Sequence, residues 1–157
     1  ARTGWPLRPA PARQGRGVMA GNPDQGETVG WPRFIATVST AWQRIPTPQR
    51  RSTVILTANY GEAGAIDVLG ASRGVPHAYS GHNGFSEWGM PPASATHVLL
   101  VGYNSPADAA PYFNRCTTLA TIDNGVGLNN QEQGLPLLLC LPRASWPTLW
   151  PHLTTYD

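Results

Sequence analysis

Residues 53–63 read Thr-Val-Ile-Leu-Thr-Ala-Asn-Tyr-Gly-Glu-Ala, an apolar, β-branched run that breaks into Asn-Tyr-Gly-Glu. Its opening five residues are β-branched or aliphatic almost throughout, the composition of a buried strand. Gly61 is expected to give a turn, and residues 62–69 a short helix ended by Gly70. A strand that feeds a helix through a tight turn is half of a βαβ unit. In open α/β sheets, ligands sit beyond the carboxyl ends of such strands. Asn59, Tyr60 and Glu62 stand at that edge, so a site is sought there first.

The pattern repeats downstream. Residues 77–80 (HAYS) form a short strand that breaks into Gly81-His82-Asn83-Gly84, and residues 85–92 carry too many Gly and Pro for regular structure. Residues 96–103 (THVLLVGY) are the clearest continuous buried strand. Ser105 as cap, Pro106 at the first position and Asp108 in the first turn open a helix expected to run to about Phe113. Two further strands are expected at 116–122 and 135–141. The connection between them is short for a helical crossover, which makes them antiparallel neighbours. Residues 145–153 (SWPTLWPHL) close the chain as a helix, with Trp146 and Trp150 on one face.

Upstream, Trp31, Phe34, Ile35, Val38, Trp42 and Ile45 recur at helical spacing as one apolar stripe that Pro46 and Pro48 stop. Strands alternating with helices imply an α/β fold. Its expected form is a three-layer αβα sandwich, with a mostly parallel sheet of about five strands and an antiparallel edge. Residues 1–30 are rich in Gly, Pro and Arg without periodicity and read as an extended linker or arm, on which Trp5 and Met19 are the anchor candidates. Residues 31–157 read as a single α/β domain.

The 157 residues suit one domain with an ordinary core, the apolar fraction being 41%. Only 13% are charged, all eleven basic residues are Arg, and the formal net charge is +2. Such a balance does not point to nucleic acid. No stretch approaches the roughly eighteen apolar residues of a membrane helix. Residues 1–30 also lack the apolar core of a signal peptide. With no initiator Met, the sequence is expected to be a piece of something longer or a processed product. Cys116 and Cys140 are either two buried thiols or one disulfide.

Three clusters are expected to meet at one end of the sheet. They are Asn59-Tyr60-Gly61-Glu62, then Ser80-Gly81-His82-Asn83 with Trp88, and Asn124 with Asn129–Gly134 (NNQEQG), which includes Asn130 and Glu132. Glu62 lies in a first helical turn, where the dipole favours a carboxylate, and it either caps its own helix or serves a ligand. His82 is either a hydrogen-bonded loop residue or a general base oriented by Glu62 or Glu132. No G-x-G-x-x-G, Walker loop, H-E-x-x-H, C-x-x-C or G-x-S-x-G is present, nor a grouping with metal-ligand spacing. No catalytic residue, metal or cofactor is therefore assigned. Tyr60, Trp88 and Tyr103 beside Asn, Gln and Glu suit a sugar-binding face, because pyranose rings offer apolar faces and many hydroxyls.

The segments TANYGEAGAIDVLG, PHAYSGHNGFSEWG, HVLLVG, NNQEQGLPLLLC and SWPTLW together resemble the C-terminal soluble domain of bacterial membrane glycosyltransferases. These multi-spanning enzymes are similar to dolichyl-phosphate-mannose–protein mannosyltransferases and lipid-A aminoarabinose transferases. The resemblance covers about residues 31–157. Where the family tends to read Asn-Glu-Glu-Gln-Gly, this chain has Asn130-Gln131-Glu132-Gln133-Gly134, so a role needing two adjacent carboxylates does not carry over.

The resemblance implies a parent enzyme that transfers sugar from a polyprenyl phosphate using an acidic residue of its membrane part. This domain would stand on the extracytoplasmic face of the bacterial cell membrane. Its partners would be the transmembrane portion of the same polypeptide and a lipid-linked sugar or glycan acceptor. The fragment would be inactive alone, with the arm as its tether. An oxidising compartment would favour the Cys116–Cys140 disulfide, worth roughly 3 kcal/mol by loop closure. Two rival readings are a docking domain, with an exposed apolar patch at Trp146, Trp150 or the arm, and a stand-alone hydrolase using Glu62 and His82.

Overall fold

Pro32 at the first helical turn and an apolar residue every third or fourth position produce the first long element, α1 (Trp31–Arg44). The computed structural model in which it is seen describes residues 30–123 and 133–156. Phe34, Ile35, Val38, Ala41 and Trp42 of α1 are buried. The Arg44 guanidinium at its end donates to the Leu119 carbonyl. A one-turn helix α2 (Thr47–Arg50) leads into β1 (Thr53–Thr57).

The sheet is built around β1. On one side lies β2 (Ala78–Ser80) and on the other β3 (His97–Val101), both parallel to β1. Beyond β3, β5 (Pro136–Pro142) runs antiparallel, and β4 (Phe113–Thr121) pairs antiparallel with β5 at the edge. The order is β2-β1-β3-β5-β4, and the five-stranded mixed sheet with an antiparallel edge is the expected α/β class.

Alternation along the strands sends side chains to two separate cores. Ile55, Leu99, Val101 and Leu137 pack with α1 and with Ala63 and Ile66 of α3 (Tyr60–Leu69). Leu56, Val98, Leu100 and Leu138 pack on the opposite face with Ala109, Phe113, Trp146 and Leu149. Those last residues bring in α4 (Pro106–Ala109) and α5 (Trp146–Leu153). Helices therefore cover both faces.

The disulfide Cys116–Cys140, Sγ–Sγ 2.05 Å, crosses the β4–β5 pair on the α5 side. Cys116 sits where the β4–β5 register shifts, between Asn114 and Thr117, beside Arg115 with its positive φ of 51°. This is a bulge, and it bends the edge strand.

Several sequence expectations need correction. α3 starts at Tyr60 rather than 62, because Asn59 caps it and Gly61 lies inside the first turn. α4 ends at Ala109 and does not reach Phe113. Pro111 has no N–H to offer, and its ring would clash with the Ala107 carbonyl of a continuing helix. Phe113 instead opens β4, fully buried. Residues 83–88 form a 3₁₀ segment (Asn83–Trp88), with Gly84 inside it and Gly89 at its end, because a few tight turns tolerate glycine that a longer helix would not. Trp146 is buried at 3% exposure, with its indole N–H donating to the Ala95 carbonyl at 2.9 Å, so it belongs to the core and to no surface patch. Among the described residues, no helix is long and apolar enough to cross a membrane. Asn130 and Glu132, with Asn124, Asn129, Trp5 and Met19, lie outside the described residues.

Candidate functional site

β1, β2 and β3 run in one direction, and β4, being opposed to β5, shares it. The residues after all four strands therefore emerge at one edge of the sheet. There the Ala58 N–H donates to the Val101 carbonyl at 2.9 Å, joining the ends of β1 and β3. At the β4 end, the Gly134 N–H donates to the Ile122 carbonyl at 2.8 Å, and the Gln133 amide donates to Asp123 Oδ1 at 3.3 Å.

The centre of this edge is the start of α3. The Glu62 N–H donates to Asn59 Oδ1 at 2.8 Å, and the Asn59 N–H donates to Glu62 Oε1 at 3.1 Å. The pair is a reciprocal capping box, with Asn in the cap position and Glu three residues on. Glu62 is 0% exposed. Its carboxylate lies against the backbone at Gly102, where a Cβ would come within 2.6 Å of Oε2. The neighbouring Tyr103 phenol is pushed up to about 12, first by burial, then by the Glu62 carboxylate and by Tyr112. Glu62 therefore organises the edge from within, and its carboxylate is not offered to solvent.

The second cluster joins the first through His82. Its Nδ1 accepts the Tyr60 N–H at 3.3 Å, and the two rings lie 5.3 Å apart. An Nδ1 that accepts this bond leaves the N–H of the ring on Nε2. Ser80 is buried, and its Oγ accepts the His82 N–H at 3.2 Å. Asn83 adopts a left-handed φ of 51°, which Asn tolerates, and its N–H donates to the Thr155 carbonyl at 2.7 Å. The Thr155 N–H donates in turn to the Gly81 carbonyl at 2.9 Å, and Ser86 Oγ meets Tyr156 Oη at 3.1 Å. The chain after α5 thus lies across the loop like a strap.

Among the residues singled out from sequence, the structure brings together Asn59, Tyr60, Glu62, Ser80, His82 and Asn83. Trp88 is placed elsewhere: the 3₁₀ segment carries it onto Phe85, which in turn meets His77 just before β2. Gly102, Thr155 and Tyr156 join the edge without having been singled out. For Gly102 a signal exists, since a glycine directly after a buried strand marks close backbone approach. Among the described residues, no group of three or more His, Cys, Asp or Glu is placed to hold a metal ion. The edge presents an exposed Tyr60 ring beside the His82 imidazole, while the loop N–H groups of Asn59, Tyr60, Glu62, His82 and Asn83 all donate within the protein. No family model matches the chain, and neither a curated protein nor a solved structure matches it.

Proposed function

We propose that the chain is a non-catalytic, extracytoplasmic domain of a bacterial membrane glycosyltransferase that uses a polyprenyl-phosphate sugar, and that its loop edge handles substrate or gates access to it. The observation that carries this reading is the contact between two segments of the resemblance. Tyr60 of NYGEAGA and His82 of YSGHN meet by a hydrogen bond and ring contact at the end of the sheet where α/β proteins bind ligands. The disulfide supports the location, because such bonds persist in oxidising compartments. The partners in this reading are the transmembrane part of the same polypeptide and a lipid-linked sugar or glycan acceptor.

A titration of the isotope-labelled chain with short-chain polyprenyl-phosphate sugars tests it. Saturable amide shifts at Tyr60, His82 and Asn83, removed by His82→Ala, are expected. A silent edge with the fold intact overturns the reading. Glu62→Ala is unsuited to this purpose, because the residue is fully buried and its loss perturbs the helix start itself. A domain that only docks on membrane helices is the second reading. It is favoured by Val68 and Leu69, exposed at 79% and 41% in the last turn of α3.

A further inference from the structure

Away from the loop edge, three aromatic rings lie in near-parallel succession. His77 and Phe85 have centroids 6.4 Å apart and planes 14° apart, and Phe85 and Trp88 are next at 4.9 Å and 24°. Near-parallel rings at such spacings are offset rather than superposed. The three make a stepped face along β2, the edge strand of the sheet. Phe85 packs on the core and anchors it, whereas Trp88 is 71% exposed. An indole held against a second ring while most of its surface faces water leaves an apolar face free for a flat ligand.

The inner end of the face is polar and fixed. His77 Nδ1 lies 2.9 Å from Asp67 Oδ2, and the other Asp67 oxygen accepts the Ala78 N–H at 2.8 Å. The carboxylate is thus tied to the start of β2, and it sets the orientation of the imidazole. His77 is edge-on to Tyr79 at 4.9 Å, and its Nε2 makes no hydrogen bond among the described residues. That nitrogen is the one not turned to Asp67, on the ring that ends the succession. The charged neighbours, Asp67 beside His77 and Glu87 beside Trp88 in sequence, are both acidic. They disfavour a phosphate or other anion.

We propose that Trp88, Phe85 and His77 form a second binding site, a shelf that takes the apolar face of a neutral pyranose ring, with a sugar hydroxyl on His77 Nε2 and with Asp67 holding the imidazole in place. The combination decides the ligand class. An aromatic step alone accepts any apolar body, while a single oriented polar atom beyond it suits a ring with one C–H face and hydroxyls around its rim. The choice of sugar rests on the glycan-handling reading of the domain, but the shelf is separate from Tyr60, His82 and Asn83.

The test titrates the isotope-labelled full chain with neutral hexasaccharides of glucose, mannose, galactose and N-acetylglucosamine, read at the Trp88 indole N–H and the His77 ring. At least one should saturate with Kd on the order of 1 mM, a normal strength for one stacked ring and one hydrogen bond. Trp88→Ala, at an exposed position, should abolish the response with the fold unchanged. His77→Gln should weaken binding about fivefold to tenfold, the weight of one hydrogen bond. Asp67→Asn should weaken affinity in the same way while the limiting shift at the Trp88 indole keeps its size, a split that a general loosening of the fold would not give. Silence of the shelf toward all four sugars at about 10 mM overturns the proposal. So does a response that survives Trp88→Ala. Shifts confined to Tyr60, His82 and Asn83 overturn the shelf and leave the reading of the loop edge standing.

Discussion

Gly102 has room for a hydrogen atom and nothing larger. Its φ is 88°, a conformation that L side chains rarely adopt, and the space a Cβ would take is filled by the Glu62 carboxylate. Gly102→Ala therefore meets strain and a buried charged group at once, and it should lower stability by about 2–4 kcal/mol. The urea midpoint reads this, and an unchanged midpoint would mean that Glu62 is free to move. The same carboxylate acts on Tyr103. Burial, then Glu62, then Tyr112 raise the phenol from 10.0 to about 12, so the folded state holds the neutral form after the unfolded chain has begun to ionise. The stability linked to this group is complete below the unfolded value and is lost as pH climbs through the folded one. The loss proceeds at no more than about 1.4 kcal/mol per pH unit. Tyr103→Phe should flatten that part of the alkaline decline. Urea midpoints of both proteins at about pH 9 and about pH 11.5 decide it, and equal drops in the two would sink the assignment.

At the scale of elements, the loop edge depends on the segment after α5. A Cβ at Gly81 would strike the Leu153 carbonyl carbon at 2.6 Å, so Gly81→Ala should push residues 154–156 off the loop while leaving both cores intact. The bonds at risk are Asn83 N–H to Thr155 O, Thr155 N–H to Gly81 O, and the Ser86–Tyr156 pair. Hydrogen exchange should show protection lost at Asn83 and Thr155 but kept in β1 and β3. Retained protection at both amides would show that the strap is held by something else. This dependence is not legible in the sequence, since the paired residues stand some seventy positions apart and share no local pattern. What can be read is local. Glu62 in a first helical turn and the β-branched and aliphatic runs at 53–57 and 97–101 mark the start of α3, β1 and β3, while Asn59, the cap three residues before Glu62, is not singled out as one. The strong start signals at 106 predict a longer helix than forms, because they say nothing of Pro111, the residue that ends it. Trp88 leaves its expected place for a related reason: a short 3₁₀ segment rotates and translates the chain beyond it, and no spacing rule fixes where the ring ends up.

For the molecule as a whole, the weak margin is β4. It is an edge strand with a bulge at Arg115, and a bulge breaks the ladder that holds an edge in register. Two contacts, one on each face of the sheet, compensate. On one face Arg44 of α1 binds the Leu119 carbonyl. On the other the Cys116–Cys140 bond, spanning 24 residues of sequence, ties β4 to β5 within the core that α5 covers. Loop closure of that length contributes roughly 3 kcal/mol. Because both cores hold many residues besides the two cysteines, reduction should leave the fold in place and lower Tm by on the order of 10 °C. A chain carrying Cys116→Ala and Cys140→Ala should melt at the temperature of the reduced protein and ignore added reductant. The count of reactive thiols in the denatured, unreduced chain gives the prior check: zero is expected, and two would remove both the stability argument and the support that the disulfide lends to an extracytoplasmic location. If the thiol count is zero but Tm does not respond to reductant, the α1 clamp alone holds the edge, and the restraint on β4 is the Arg44 contact rather than the covalent bond.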